Sequence, residues 1–305
     1  MSPDLQLATT GRAWDGGERR QADRRHSHQP FAAPDRRQAA RRSRDSGERQ
    51  PGRVWAVPLA LVPPSAEPAW QRIAYRGAEI IAAALALLLL LPLMLLEAAW
   101  IRLDSPGPVL FHQRRVARSR VLPAAAVRQH PGLQLAEPAP GQAGDQAPYL
   151  VPQDFGFVKF RTMHADSAQR FPHLYRYRYG DREHFLADRF KRDDDPRITR
   201  AGRWLRRSTL DELPNFWCVL TGDMALVGPR PELPGLLVNY QPHEMLKFAV
   251  RPGITGLAQI NGRGNLNFRD TIAWDLEYVR TRSVALDLRI LLRTVVLVLT
   301  RHGAF

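Results

Sequence analysis

Apolar and polar positions divide the chain into stretches of distinct character. Residues 1–53 show almost no apolar periodicity and hold twelve arginines and seven acidic residues among Ser, Gly and Gln. Too little hydrophobic surface is present to offset the entropy of ordering, so this stretch, with the Pro-rich residues up to 69, predicts a disordered basic arm. It lacks the early hydrophobic run of a secretory signal peptide. Ile80–Leu96 is seventeen residues without a charge, mostly Leu and Ala, interrupted only by Pro92 and bounded by Glu79 and Glu97. Residues 117–153, rich in Pro, Ala, Gly and Gln without a clear period, predict a long inserted surface loop. From Phe155 onward apolar residues are dense and interleaved with arginine. The chain closes on Leu286–Thr300, where Leu288, Leu291, Leu292, Val295 and Val296 recur at helical spacing beside Arg289 and Arg293. That pattern is an amphipathic helix, able to pack on a core or to lie in a membrane interface.

The uncharged segment is a candidate membrane helix. As a straight helix it spans about 26 Å, short of the ~30 Å hydrocarbon core. Both flanks are basic: Arg72 and Arg76 precede it, and Arg102, Arg114, Arg115, Arg118 and Arg120 follow. A full crossing would carry one of these clusters to the wrong side of the bilayer. Pro92 removes a helical hydrogen bond and clashes with the preceding turn, which supplies a break. Residues 70–103 are therefore expected to form a re-entrant membrane hairpin with both flanks in the cytoplasm. A kinked full crossing and a buried helix of a soluble domain are the alternatives.

Composition narrows the partners. The formal net charge is +14, with 44 basic against 30 acidic side chains, which points to nucleic acid, anionic lipid or phosphorylated metabolites. Lys159, Lys191 and Lys247 are the only lysines, so 44 − 3 leaves 41 arginines and each lysine stands out. The single cysteine, Cys218, excludes an internal disulfide and a multi-thiolate metal site, and reads as core filler.

Candidate chemistry concentrates between Asp195 and Glu232. There two adjacent carboxylates, Asp211 and Glu212, lie among Arg197, Arg200, Arg203, Arg206, Arg207 and Arg230. Arginine forks bind phosphate oxygens, and a carboxylate beside them can attack phosphorus or hold a divalent cation. A structural reading competes: Thr209 and Glu212 have the spacing of a helix capping box, although Pro214 falls past the positions where a helix start tolerates proline. The Gly/Pro-rich turns Gly222–Glu232 and Arg251–Gly264 could cradle anions or merely connect elements. Asp193, Asp194 and Asp195 read as a solvated turn.

The runs FGFVKFRTM (Phe155–Met163), DDPRITRAGRWLRRSTLDELPNFWCVLTGDMALVGPRPE (Asp194–Glu232) and RPGITGLAQINGR (Arg251–Arg263) resemble the bacterial sugar transferase family, the monotopic phosphoglycosyl transferases. The likeness spans residues 70–305. It implies a mixed α+β, mostly helical fold: a re-entrant membrane hairpin feeding a small cytoplasmic catalytic domain with amphipathic interfacial helices, at the bacterial inner membrane. It also implies transfer of a sugar-1-phosphate from a UDP-sugar to undecaprenyl phosphate, with release of UMP, as the first step of exopolysaccharide, capsule or O-antigen synthesis. By this resemblance Asp211 is the nucleophile of a covalent phosphosugar intermediate, Glu212 takes part in binding Mg2+, and Lys159, Arg206 and Arg230 hold phosphates.

The chain departs from the family pattern at three places. Leu91 stands before Pro92 where the family usually has serine, the 117–153 stretch exceeds the usual short hairpin, and residues 1–69 are too short and polar for the extra membrane helices of larger members. No nucleic-acid partner is expected, since the arm offers only Trp14 and Phe31 for stacking. A basic membrane-anchored adaptor is the competing function. An acyltransferase or kinase lacks its H-x-x-x-x-D pattern or glycine-rich loop.

Overall fold

The computed structural model describes residues 53–300 apart from 65–66, 176–181, 189–194 and 263–264. The basic arm up to residue 52 lies outside the described residues, as do Lys191, Asp193, Asp194 and Arg263. The expected mixed fold is present, with one long apolar helix, a four-stranded sheet, a two-stranded sheet and a series of short helices.

Helix α1, Ala69–Asp104, starts after Pro68 and ends at Ser105. Among the described residues it is the one helix long and apolar enough to cross a membrane. It runs through Pro92 without interruption, so the expected division into two hairpin arms at that proline is not seen. A proline costs the helix one hydrogen bond, here to the carbonyl of Leu88, and the Leu-rich flanks continue the helical path on either side. The two ends of α1 pack on the rest of the fold while its middle does not. Glu79, Ala83, Glu97 and Ile101 are buried, whereas Leu85, Leu88, Leu89, Leu91, Leu95 and Leu96 are exposed.

Strands β1 (Val54–Pro58), β2 (Leu110–Pro123), β3 (Leu133–Leu135) and β4 (Pro148–Phe160) form one sheet in the order β2-β4-β1-β3. β2 and β4 make a long antiparallel pair from Leu110↔Phe160 to Pro123↔Pro148, with a register shift between Val116 and Ser119. β1 runs antiparallel to β4 and parallel to β3.

Two sequence expectations change here. Residues 117–153 are not one long loop: they carry the far half of β2, helix α2 (Ala124–Gln129), β3 and the start of β4, leaving 136–147 without regular structure. Proline and alanine blur the period, yet Ala124, Val127, Tyr149 and Val151 bury themselves with Ala56 of β1 in a small cluster of their own. The arm, expected to reach residue 69, ends earlier, because Val54–Pro58 is a strand whose Val57 is 1% exposed in the main core. VWAVP is too short to announce a strand, and its partners lie some eighty residues away.

The remaining helices and strands follow β4 in the chain. They are α3 (Ser167–Arg170), α4 (Arg182–Ala187), α5 (Arg200–Ser208), α6 (Phe216–Thr221), β5 (Ala225–Val227), β6 (Gly253–Thr255), α7 (Leu257–Gly262), α8 (Phe268–Thr281) and α9 (Val284–Thr300). β5 and β6 pair in parallel. The expected terminal amphipathic helix is α9: Ile290 is fully buried beside Val227, Ile260 and Tyr278, while Leu288, Leu292, Val295 and Val296 stay exposed.

Candidate active site

Period-two alternation puts Lys159 of β4 on the same strand face as Phe155 and Phe157, which pack into an apolar cluster with Cys218 and Val219. Lys159 thus ends a hydrophobic face with a charge. The residues after β4 are sewn to the start of α5 by backbone. Thr199 N–H donates to the Thr162 carbonyl at 3.1 Å, His164 N–H donates to the Arg197 carbonyl at 2.9 Å, and Met163 bridges Ile198. Thr199 caps α5, its hydroxyl accepting from Gly202 N–H at 2.9 Å. Gly202 meets Thr162 so closely that a Cβ would lie 2.0 Å from the Thr162 carbonyl oxygen. This contact carries Arg206 to Thr162, whose hydroxyl accepts from its Nε at 3.0 Å.

α5 ends at Thr209, which adopts the left-handed conformation with φ +63°, rare for a β-branched residue. The capping-box reading fails on this point: Thr209 both closes the helix before it and opens the segment after it, but its side chain makes no cap bond there. Leu210–Asn215 is a tight 3-10 turn, a geometry that tolerates Pro214, and it points Asp211 inward at 6% exposure. Glu212 is turned towards Arg230, which donates to it at 2.8 Å.

The structure therefore brings together five of the residues singled out from sequence, Lys159, Arg206, Asp211, Glu212 and Arg230. Lys159 Nζ stands 3.6 Å from Asp211 Oδ2. Burial pushes the Asp211 carboxyl up and the Lys159 ammonium down, and each charge pulls the other back toward its ionised form. Arg206 and Arg230 add positive charge that favours an anionic Asp211. Glu212 raises Arg230 further, whereas burial lowers Arg206. The sixth, Pro92, is apart, inside α1.

Other contributors escaped the sequence reading. Glu97, on the last third of α1, is 2% exposed with neither carboxylate oxygen hydrogen-bonded, and burial followed by the charge of Asp211 pushes it up. Only its position as a boundary of the uncharged run marked it. The Gly/Pro turns prove to be packing devices: Gly253 N–H donates to the Pro229 carbonyl at 3.0 Å and Gly228 N–H to the Thr255 carbonyl at 2.9 Å. A Cβ on Gly253 would lie 2.1 Å from Gly228 N, so both glycines are needed for the turns to meet behind Arg230. Among the described residues no group of three His, Cys, Asp or Glu side chains could hold a metal unaided. Mg2+ does not require one, since it commonly uses one or two carboxylates plus substrate phosphates and water. The adjacent carboxylates of Asp211 and Glu212 fit that donor set.

A buried carboxylate and its half-buried neighbour, flanked by one lysine and two arginines, present charge of the kind phosphate groups pair with, in a chain that also carries a helix of membrane length. The chain belongs to the bacterial sugar transferase family, which matches residues 70–122 and 148–301. The gap in that match, 123–147, coincides with α2, β3 and the irregular stretch, and β1 precedes it. Among relatives, the chain is 36% identical over 247 residues to an undecaprenyl-phosphate glucose phosphotransferase of Komagataeibacter xylinus, covering 77% of this chain and 38% of that protein. It is 34% identical over 235 residues to a UDP-N-acetylgalactosamine-undecaprenyl-phosphate N-acetylgalactosaminephosphotransferase of Aeromonas hydrophila, covering 75% and 44%. It is 36% identical over 243 residues to a UDP-glucose:undecaprenyl-phosphate glucose-1-phosphate transferase of Caulobacter vibrioides, covering 75% and 71%. The chain thus spans less than half of the first two relatives.

Proposed function

We propose that this chain transfers a sugar-1-phosphate from a UDP-sugar to undecaprenyl phosphate on the cytoplasmic face of a bacterial inner membrane. The observation that carries the reading is Asp211, a buried carboxylate paired with Lys159 and surrounded by Arg206 and Arg230. Asp211 Oδ attacks the β-phosphorus of the UDP-sugar, the bond from that phosphorus to the bridging oxygen breaks, and UMP leaves. An oxygen of undecaprenyl phosphate then attacks the same phosphorus, the acyl phosphate bond to Asp211 breaks, and the carboxylate is regenerated. Splitting the exchange lets both phosphate substrates use one pocket in turn. Lys159, Arg206 and Arg230 offset the repulsion between anionic nucleophile and anionic phosphates. Mg2+ bound by Glu212, with Asp211 beside it, would supply further charge neutralisation at the phosphates.

The membrane placement rests on the two ends of α1 and on tryptophan. Near the start, the Arg76 guanidinium donates to the carbonyls of Val219 and Met224, and Glu79 accepts from Leu226 N–H at 2.8 Å. Near the end, Arg161 donates to the Ser105 carbonyl at 2.8 Å and Asp104 accepts from Ala201 N–H at 3.0 Å. Both ends hold the same folded body, which favours both flanks staying on one side of the membrane over traversal. Trp70, Trp100, Trp204, Trp217 and Trp274 are exposed, as suits side chains at a bilayer–water boundary, and the apolar face of α9 would join them there.

The test is transfer of label from UDP-glucose, UDP-galactose and UDP-N-acetylgalactosamine to undecaprenyl phosphate, with UMP measured. Wild-type protein should form product and, when lipid is withheld, a phosphosugar ester on Asp211. Asp211→Asn should do neither while staying in the membrane fraction. Turnover by that variant would refute the covalent role.

A further inference from the structure

Behind Arg230 lies a chain of buried charged and hydroxyl groups that the reaction scheme does not use. Lys247 Nζ sits 2.8 Å from Asp275 Oδ2, with side chains 2% and 1% exposed. The same ammonium donates to Tyr240 Oη at 3.5 Å, and Tyr240 donates in turn to Glu232 Oε2 at 2.9 Å. Glu232 is 2% exposed; its other oxygen accepts from Leu233 N–H at 2.9 Å, and its carbonyl accepts from Val116 N–H of β2 at 2.8 Å. The Lys247 ammonium also lies within 5.5 Å of the Tyr240 and Phe248 rings.

Such a chain is a poor stabiliser. Removing a lysine and an aspartate from water costs several kcal/mol per ion, and well-packed apolar side chains in their place are often as stable or more so. What it offers is a fixed geometry, and its last member is two residues from Arg230. Gly-Pro-Arg-Pro-Glu occupies 228–232, and the prolines at 229 and 231 lock φ on either side of Arg230. Anchoring Glu232 therefore restricts where the Arg230 fork can point. On the opposite side the Gly228–Gly253 contact holds the start of the turn, and Arg115 donates to the Pro231 carbonyl at 3.2 Å.

We propose that Asp275, Lys247, Tyr240 and Glu232 are positioning residues that hold the Gly228–Glu232 turn so that Arg230 stays aligned with Glu212 for the transferred phosphate. The inference rests on the transferase reading above and adds to it four residues that act through Arg230.

Tyr240→Phe tests it with the least disruption, since it keeps the ring in the core and removes only the hydroxyl linking Lys247 to Glu232. With UDP-glucose, UDP-galactose and UDP-N-acetylgalactosamine as donors, kcat should fall about tenfold with the protein still fully folded at the assay temperature, while the melting temperature drops by a few degrees because Glu232 loses a buried donor. In an Arg230→Lys background the same change should cost less than twofold, because its effect runs through the arginine fork. Glu232→Gln should repeat the pattern, and Lys247→Arg should retain more than half of the activity if the charge is what matters. Wild-type kcat for Tyr240→Phe, or a full tenfold loss added to that of Arg230→Lys, would overturn the proposal. Asp211→Asn, run alongside, separates the two claims: turnover in that variant removes the transferase reading, whereas a dead Asp211→Asn beside a fully active Tyr240→Phe removes only this one.

Discussion

Lys159 Nζ and Asp211 Oδ2 stand 3.6 Å apart, the ammonium from the end of β4 and the carboxylate from the turn after α5. Burial works against both charges, and the Lys159 charge is the largest influence that brings the Asp211 carboxyl down. With Lys159→Met that influence is lost, so Asp211 takes up its proton at higher pH. As the proposed nucleophile, Asp211 must be ionised, and the acid limb of the kcat/KM profile at saturating Mg2+ should accordingly move upward in the variant. Removal of a charge that faces the reacting phosphate should also cost about 10²–10³ in rate. An acid limb at the wild-type position would mean that Lys159 does not govern Asp211.

Glu212 accepts from Arg230 through Oε1 at 2.8 Å, and the reading proposed above gives the same carboxylate a share in Mg2+. On that reading Glu212→Gln keeps a hydrogen-bond acceptor for Arg230 and loses a charged ligand. The Mg2+ concentration for half-maximal activity should rise about tenfold, since hard cations favour ionised oxygen ligands. A magnesium titration on wild type and variant checks it. Superimposable curves would move the cation elsewhere.

The members of the candidate site were legible in the sequence because most of them lie close together along the chain. Asp211 and Glu212 are neighbours in an arginine field, and Lys159 is a rare lysine. Their mutual approach was not legible, since it depends on Gly202 lying against Thr162 and on the left-handed Thr209, neither of which leaves a periodic signal. The same limit hid β1, whose partners are remote, and the ordered half of 117–153, whose alanines and prolines read as loop until β4 pairs with them. Lys247 was visible as one of three lysines, but Asp275 and Glu232 gave it no partner along the chain.

Gly202→Ala offers a test of that packing. On an isolated helix the change is favourable by about 1 kcal/mol. Here the added methyl would meet the Thr162 carbonyl oxygen at 2.0 Å and its carbon at 2.6 Å, both backbone atoms that cannot swing aside. Overpacking should win, with a net loss of about 1–3 kcal/mol and a lower melting temperature in detergent. Activity should fall more than stability, because Arg206 rides on the same helix. A stabilised variant would show that α5 and Thr162 are not in contact.

Truncation should separate the arm from the strand that follows it. Removal of residues 1–52 should leave transfer within twofold of wild type, as expected of an enzyme and not of an adaptor working through its basic arm. Removal of residues 1–60 takes Val57 and Ala56 out of the core, and with them the pairing of β1 to β3 and β4. Burying one valine alone is worth about 1.5–3 kcal/mol, so the shorter protein should unfold at lower temperature and yield less folded material. Equal stability of the two truncations would deny β1 its place in the sheet.

The topology of α1 can be read with thiols. The native Cys218 is 1% exposed, and a Cys218→Ala background gives a clean baseline. Arg72 and Arg102 are exposed, one toward each end of the helix, with Leu85–Leu96 between them. The Arg76 and Glu79 contacts near one end, and the Asp104 and Ser105 contacts near the other, grip one folded body, which cannot sit on both faces of a bilayer. Cysteines placed singly at 72 and 102 should therefore both react with a membrane-impermeant maleimide in inverted inner-membrane vesicles and both resist it in intact spheroplasts. Opposite labelling of the two sites would make α1 a crossing helix, and the contacts at one of its ends would then have to break in the membrane.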